Sequence, residues 1–338
     1  MTLSILIVNW NSKDYLRKCL QSVRMTCVGI SLQVIVVDSA SYDGCGAMLA
    51  GEFPEVEFIQ CPENLGFGRS NNLGFQRVRG EYLLLLNPDT ELHPGAVARM
   101  LEVLNSVPAA GIAAPRLLNA DGSLQCTCVR ALPTPLNRAV DSEVLRRWSP
   151  RSSLWSTWEA FHSAQPVTVE AVSGACMVMR ADTFRSLGGF SPQFFMYGED
   201  MDLCAKARRL GLKVVHIPGA QVVHHGGGSS SKQLSRFSAV MMRQAGETYM
   251  VLNHGAMTAW IYRGLQAASA VVRLLILLVM LPMRPRCRGA VLMSIQKWWE
   301  VLMWAISTVR LRPKGASTIR AFARRDALGE PSSEPASD

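Results

Sequence analysis

The run Tyr82-Leu83-Leu84-Leu85-Leu86, followed at once by Asn87-Pro88-Asp89-Thr90, restricts the fold more than any other stretch. It is apolar throughout and too short for a typical helix, so it reads as a strand buried on both faces, as in a parallel sheet covered by helices. Pro88 has no N–H to give to a ladder and pushes Asn87 toward an extended or turn conformation. The chain must therefore leave the sheet there, with the Asp89 carboxylate at the strand's carboxyl edge. In open α/β sheets that edge is where ligands bind.

Two earlier segments end in the same way. Leu3–Val8 runs into Asn9-Trp10-Asn11-Ser12, and Gln33–Val37 runs into Asp38-Ser39-Ala40-Ser41. As parallel neighbours, these strands bring Asn9, Asp38 and Asp89 to one end of the sheet, which points to a built site. Between them Tyr15, Leu16, Cys19, Leu20 and Val23 fall at helical spacing, with Ser12 as N-cap. A short helical piece near 44–51 and an alternating strand at 56–60 continue the pattern. Strands alternating with helices predict an α/β fold with a mostly parallel, doubly wound sheet.

In Glu63–Gly74, Gly66 and Gly68 permit a ligand to approach the backbone closely, and Asn71, Asn72 and a helix beginning there offer donors to a phosphate or sugar. An ordinary loop-to-helix turn accounts for the glycines equally well. Neither GxGxxG nor GxxxxGK[ST] is present, which argues against dinucleotide-binding and P-loop enzymes. A helix over 94–106 with Pro94 in its first turn, a strand over 111–115 and a turn at Asp121-Gly122-Ser123 follow. Residues 130–165 lose periodicity and read as a long irregular excursion. An apolar strand over 172–180 and a helix over 181–187 restore order.

Glu199, Asp200 and Asp202 crowd the start of a helix that carries Lys206, Arg208 and Arg209 in its last turn and Gly211 as C-cap. Helix capping accounts for one of these acids and leaves the others for chemistry. Val214–Ile217 and Gln221–His224 read as two short strands. His224 ends the second as Asp38 and Asp89 end theirs, and a neutral imidazole is a ligand for divalent metals.

The 338 residues, 49% hydrophobic, can bury one large core or two modest ones. From Arg284 to Arg325 ten Lys or Arg face Glu300 alone, so the formal charge of +9 belongs to the tail and the body is near neutral. Nine cysteines without a repeating spacing point to reduced thiols in a cytosolic compartment, and no secretory signal pattern is present.

Ala267–Met283 is nearly all apolar, yet it has Arg273 at its middle. A span needs about twenty apolar residues, and a central Arg costs roughly 2.5–3.5 kcal/mol. A helix lying in the membrane interface is thus favoured over a span, with Tyr262, Gln266, Ser269 and Arg273 on its polar side. Val291–Val309 repeats the device, with Trp298, Trp299 and Trp304 at the headgroups and Lys297 and Glu300 on the polar side. Basic residues add about 1 kcal/mol each at an anionic leaflet. The other reading packs both helices on the globular body. The expected organisation is a globular unit over 1–235, a membrane-associating helical region over 236–312 and a disordered tail over 313–338.

Taken together, the ordered motifs 7–11 (Ile-Val-Asn-Trp-Asn), 37–44 (Val-Asp-Ser-Ala-Ser-Tyr-Asp-Gly), 64–68 (Asn-Leu-Gly-Phe-Gly), 87–90 (Asn-Pro-Asp-Thr), 173–175 (Ser-Gly-Ala), 198–204 (Gly-Glu-Asp-Met-Asp-Leu-Cys) and 224–230 (His-His-Gly-Gly-Gly-Ser-Ser) resemble the family 2 glycosyltransferases of the GT-A fold, most closely their rhamnosyltransferase-like branch. The resemblance implies an inverting transferase that uses a dTDP- or UDP-linked sugar, rhamnose foremost, with Mg2+ or Mn2+. It also implies a saccharide or polyprenyl-diphosphate-linked acceptor in cell-surface polysaccharide synthesis, no nucleic-acid partner, and a place on the inner face of the cell membrane.

On that resemblance Asp38 contacts the base or ribose, Asn64 and Asn71 line the nucleotide pocket, and Asn9, Asn11, Gly66 and Asn87 belong to the same donor-binding set. Asp89 matches the last acid of a DxD-type metal motif, and His224 closes the metal and diphosphate site. Asp200 matches the catalytic base, with Glu199 beside it. The sequence departs from the family pattern at Ser39, Glu170 and Asn87. Asn87 replaces the first acid of DxD, so metal binding rests on one protein carboxylate plus the donor's own diphosphate. The alternative is a non-catalytic nucleotide-sugar-binding or membrane-docking module, against which the retention of Asp89 and Asp200 argues. Processive synthesis is disfavoured because QxxRW is absent.

Overall fold

The computed structural model describes residues 2–155, 157–226, 236–283 and 288–307. The expected boundary at 235, the Gly-Gly-Ser-Ser of 227–230 and the tail over 313–338 lie outside them. The chain begins with β1 (Thr2–Asn9), α1 (Lys13–Thr26), β2 (Ser31–Asp38), α2 (Cys45–Glu52), β3 (Glu57–Gln60), α3 (Phe67–Phe75) and β4 (Tyr82–Leu86). It continues with β5 (Thr90–Leu92), α4 (Ala96–Ser106), β6 (Ala110–Leu118), β7 (Val129–Arg130), α5 (Pro135–Val140), α6 (Glu143–Trp148) and α7 (Trp158–His162). Then follow β8 (Val167–Val169), β9 (Ala171–Val172), β10 (Cys176–Arg180), α8 (Ala181–Ser186), α9 (Glu199–Arg209) and β11 (Lys213–His224). Three helices close the described chain: α10 (Arg236–His254), α11 (Ala256–Met283) and α12 (Arg288–Ile306).

One mixed sheet runs in the order β3-β2-β1-β4-β10-β6-β11-β5, with β8 on β11. Strands β3, β2, β1 and β4 are parallel, as the alternation with helices predicts, and β4 is buried at every residue. In-register pairing sets Asn9 opposite Asp38 and Ile7 opposite Leu86, so the three polar strand ends share one edge. The apolar strand expected over 172–180 divides instead. Its second half, β10, runs antiparallel to β4, while Ala171–Val172 pairs with β7 and the intervening turn lies at the carboxyl edge of β4. The two short strands expected at 214–217 and 221–224 are one strand, β11, interrupted by a register shift between Ile217 and Gln221.

Local corrections have simple causes. Ser12 precedes α1 but does not cap it; its hydroxyl donates to the Trp10 carbonyl, and the Asp43 carboxylate accepts from the Lys13 N–H at 2.8 Å instead. Helix α3 starts at Phe67, four residues before Asn71. The excursion at 130–165 holds three short helices, and the Glu170 carboxylate ties it down by accepting from the Leu132 N–H at 2.8 Å.

Helix α11 docks by its polar side, whereas α12 buries Val291, Val301, Trp304 and Ala305. Tyr262 and Gln266 are buried, and Ser269 and Arg273 donate to the Ala139 and Asp141 carbonyls at 2.7 Å. Arg263 donates to the carbonyls of Trp304, Ala305 and Ser307 at the end of α12, satisfying groups that the helix itself leaves unpaired, and pairs with Glu247 of α10 at 3.3 Å. The apolar side of α11, including Val272, Leu275, Ile276, Leu278 and Val279, is left exposed. α11 is also the one helix among the described residues long and apolar enough to cross a membrane. Trp304 is buried against Tyr262, Trp298 is surrounded by cations, and only Trp299 of the three tryptophans is exposed.

Asp202 joins this helical unit to the sheet domain. Its buried carboxylate accepts from Ser191 Oγ at 2.6 Å and from Asn253 Nδ2 of α10 at 2.9 Å, and it pairs with Lys206 at 3.2 Å. Replacing it strands three donors. Asp202→Ala is expected to lower stability by roughly 3 kcal/mol, read as a drop in thermal midpoint, whereas exposed Asp182→Ala should leave the midpoint unchanged.

Candidate active site

Asn9 and Asp38 end their strands buried and bonded to each other, Asn9 Nδ2 donating to Asp38 Oδ1 at 2.9 Å. Asp38 also accepts from Ser41 Oγ and N–H, Cys45 Sγ and Gln60 Nε2. A carboxylate offers about four lone-pair sites, and five donors leave none outward. Burial alone would push this carboxyl up, but the hydrogen bonds from Ser41, Asn9 and Cys45 outweigh it and hold the group below its ordinary value. In this structure Asp38 latches β1, β2 and the 39–45 loop together.

The atoms left over at this edge are amides. Asn9 Oδ1 and Asn11 Nδ2 are buried without a hydrogen-bond partner. Asn11 (φ 49°) and Ala40 (φ 60°) both hold a left-handed backbone there, with Asn11 Oδ1 accepting from the Tyr42 N–H. Such strain collects at functional sites.

The glycine loop works differently from the expectation. A Cβ on Gly66 would lie 2.2 Å from the Phe195 carbonyl oxygen, and one on Gly68 3.1 Å from Phe190, so these glycines admit protein rather than ligand. The Phe67 N–H donates to that same Phe195 carbonyl at 3.0 Å. Asn64 Oδ1 accepts from the Gly66 N–H and shapes the turn. Asn71 is wholly buried, donating to Phe67 O within its own helix, and so does not line an open pocket.

Asn87, Asp89 and His224 do meet. His224 Nε2 lies 3.3 Å from Asp89 Oδ1 and 3.4 Å from Asn87 Nδ2, and Asn87 Oδ1 is buried without a partner. Gln125, which the sequence did not single out, sets the ring. Its Nε2 donates to Asn119 Oδ1 and His224 O, so its Oε1 must be the atom 2.7 Å from His224 Nδ1. A carbonyl only accepts, so Nδ1 carries a proton, and Nε2 is the ring atom that lies beside the Asp89 carboxylate and the Asn87 amide. A carboxylate oxygen and an imidazole nitrogen 3.3 Å apart are donors of the kind that divalent cations take. Among the described residues no three His, Cys, Asp or Glu side chains form a complete metal cluster.

The Ser173–Ala175 turn carries this corner to the acids. The Asn87 N–H donates to the Ala175 carbonyl at 2.8 Å, and the Gly174 N–H donates to Asp200 Oδ2 at 3.1 Å. A Cβ on Gly174 would sit 3.3 Å from Asp200 Cβ, so glycine permits the approach. Tyr197 (φ 69°) and Gly198 (φ 84°) turn the chain into α9, whose first residues are Glu199 and Asp200. Asp200 is partly exposed, whereas Glu199 is buried and its Oε2 has no partner. Asp202, the third acid, is taken up by the contacts to Ser191, Asn253 and Lys206.

Comparison with known proteins gives the family and the fold. Residues 4–150 match the model described as Glycosyl transferase family 2, and residues 141–311 match Glycosyl transferase family group 2. The chain belongs to glycosyltransferase family 2. Among curated relatives, this glycosyltransferase is 27% identical over 236 residues to the N-acetylglucosaminyl-diphospho-decaprenol L-rhamnosyltransferase of Mycobacterium tuberculosis, covering 66% of this chain and 76% of the relative. It is 23% identical over 241 residues to the rhamnosyltransferase WbbL of Escherichia coli, covering 65% and 82%. The mannosyltransferase PcManGT of Pyrobaculum calidifontis, solved with GDP-Man and Mn2+, shares the fold, with a TM-score of 0.53 at 16% identity over 96% of this chain and 80% of that one.

The glycosyltransferase's Glu199 titrates visibly in its stability. Burial, and next the charge of Asp200, push its carboxyl up from the ordinary 4.5 to about 8. Between those values the folded state holds a proton that the unfolded chain has released, so stability falls as pH rises through that range. Glu199→Gln should flatten the decline of the thermal midpoint between about pH 5 and about pH 8 and raise the midpoint above the parent's at higher pH. Identical pH profiles for parent and variant would contradict this.

Proposed function

We propose that this family 2 glycosyltransferase transfers a sugar, rhamnose foremost and UDP-linked hexoses next, from a nucleotide-sugar donor to a saccharide carried on a polyprenyl diphosphate, in cell-surface polysaccharide synthesis. The observation that carries the reading is the pair of hydrogen bonds through the Ser-Gly-Ala turn, which holds the Asp89–His224 corner and Asp200 on two sides of one short peptide. The nearness of a leaving-group site to a partly exposed carboxylate is what single displacement requires. The names of the rhamnosyltransferase relatives support the choice of sugar and acceptor.

Asp89 and His224 fit a Mg2+ or Mn2+ ion, because the adjacent carboxylate and imidazole and the buried, unpaired Asn87 Oδ1 are oxygen and nitrogen donors of the right kind. When bound, that ion neutralises the charge that develops on the departing diphosphate. Asn9 and Asn11, with their unpaired amide atoms, are the groups on the nucleotide side of the edge. Asp200 accepts the proton of the acceptor hydroxyl as it attacks, and the Gly174 N–H fixes its carboxylate. Glu199, kept neutral by burial, leaves the charge of the acid pair on Asp200. Attack from one face by a hydroxyl inverts the anomeric centre.

Asp200→Asn is expected to keep donor and metal binding and lose at least about 10²-fold in turnover, the usual contribution of a general base. Asp89→Ala should abolish turnover and weaken donor binding together. Donor titration followed by thermal shift separates the two, and equal loss of donor binding in both folded variants would contradict the assigned roles.

The enzyme's place in this reading is the inner face of the cell membrane, held peripherally by the exposed apolar side of α11 and by the basic residues from Arg284 onward. Full-length protein should bind anionic vesicles better than neutral ones at low salt and be released by high salt and carbonate. Retention until detergent is added would make α11 a span instead.

A further inference from the structure

The α10–α12 unit and the excursion at 130–165 bring together cations that have no ion-pair partner among the described residues. Arg138 of α5 is partly exposed, and its Nη2 lies 2.8 Å from Sδ of Met201, the residue after Asp200. Arg243 of α10, Arg273 of α11 and Lys297 of α12 converge on the Trp298 ring at 5.0, 4.3 and 5.9 Å from its centroid. Arg273 is held on the Asp141 carbonyl, at the end of α5 and three residues beyond Arg138, which is about 5 Å of helical rise. The four cations thus run from Met201, beside Asp200, to the middle of α11.

The nearby acids offset this track of charge only in part. Asp141, whose charge reaches Arg138, Arg243 and Arg273, is itself paired with Arg146, Glu247 is paired with Arg263, and Asp200 stands at the far end. Burial weakens the basicity of Arg138, Arg243, Arg273 and Lys297, and for Arg138, Arg273 and Lys297 repulsion from a neighbouring cation adds to it. Helix docking explains the bonds of Arg273 to Asp141 O and Ser269 Oγ, but Lys297 and Arg138 bond no backbone carbonyl. Two further features give the anion a shape. Asp200 stands at one end of the track, and at the other the exposed apolar residues Val272, Leu275, Ile276 and Val279 flank Arg273 on α11.

We propose that Arg138, Arg243, Arg273 and Lys297 bind the diphosphate of a lipid-linked sugar acceptor, whose sugar reaches Asp200 and whose apolar chain lies along the outer face of α11. This rests on the transferase reading above and names the acceptor half of the same site. A diphosphate with a sugar on one side and a hydrocarbon chain on the other is the one ligand chemistry that matches acid, cations and apolar face in that order. It also explains why α11 turns its polar side inward.

The test is equilibrium binding of farnesyl diphosphate to the full-length protein in neutral detergent, measured without any donor, so that it stands or falls apart from turnover. The parent should bind it, farnesol should not compete, and Lys297→Gln and Arg243→Gln should each weaken binding at least about tenfold, the value of one charge-assisted hydrogen bond. Arg243→Lys should recover part of the loss, and nucleotide-sugar affinity should stay at the parent value in every folded variant. Unchanged binding in both Gln variants would overturn the proposal. So would equal competition by phosphatidylglycerol, since the cluster would then be a general headgroup site. Failure of sugar transfer with intact, cation-dependent diphosphate binding would count against the transferase reading and leave this site standing.

Discussion

The site depends on the direction of one strand. β10 enters the sheet between β4 and β6 and runs against β4, with Cys176 opposite Leu86. That register delivers the Ser173–Ala175 turn to the carboxyl edge of β4, where the Ala175 carbonyl takes the Asn87 N–H and Gly174 takes Asp200. A parallel strand here would carry the turn to the opposite end of the sheet. The metal-type corner at Asp89 and His224 would then have no acid beside it, whatever the residues at either place.

The C-terminal helices extend the same logic outward. α10 packs on α9 through Asn253 and Asp202, and α11 packs on α5 through Ser269 and Arg273, so the helical unit touches the two elements that bear Asp200 and Arg138. Its polar residues are consumed in that docking. The apolar side remains outside, where a soluble protein ordinarily keeps large patches small. In the proposed reading the base Asp200, the four cations and the apolar helix face form one continuous device rather than an enzyme with a separate anchor.

Much of this was legible in the residues. Three polar strand ends at Asn9, Asp38 and Asp89 marked the active edge before any coordinates, because a buried parallel strand has a fixed polarity and Pro88 forces the exit. Strand direction at 176–180 was not legible, since an all-apolar run has the same pattern either way. Nor was the enclosure of Asp38, which depends on Ser41, Cys45 and Gln60 folding over it. Gln125 left no signal because its partner His224 is 99 residues away. The helical period of 262–273 separated a polar from an apolar side, but periodicity alone does not say which one meets protein. The structure packs the polar side on α5 and α10 and leaves the apolar side outward, the side that a membrane-interface helix needs free.

The central claim is a single displacement assisted by one base, Asp200. The most direct measurement is the anomeric configuration of the transferred sugar, determined by NMR on the purified product formed from a donor of known configuration. The account predicts complete inversion. Retention would contradict it, because one displacement from the face opposite the leaving group always inverts the anomeric carbon.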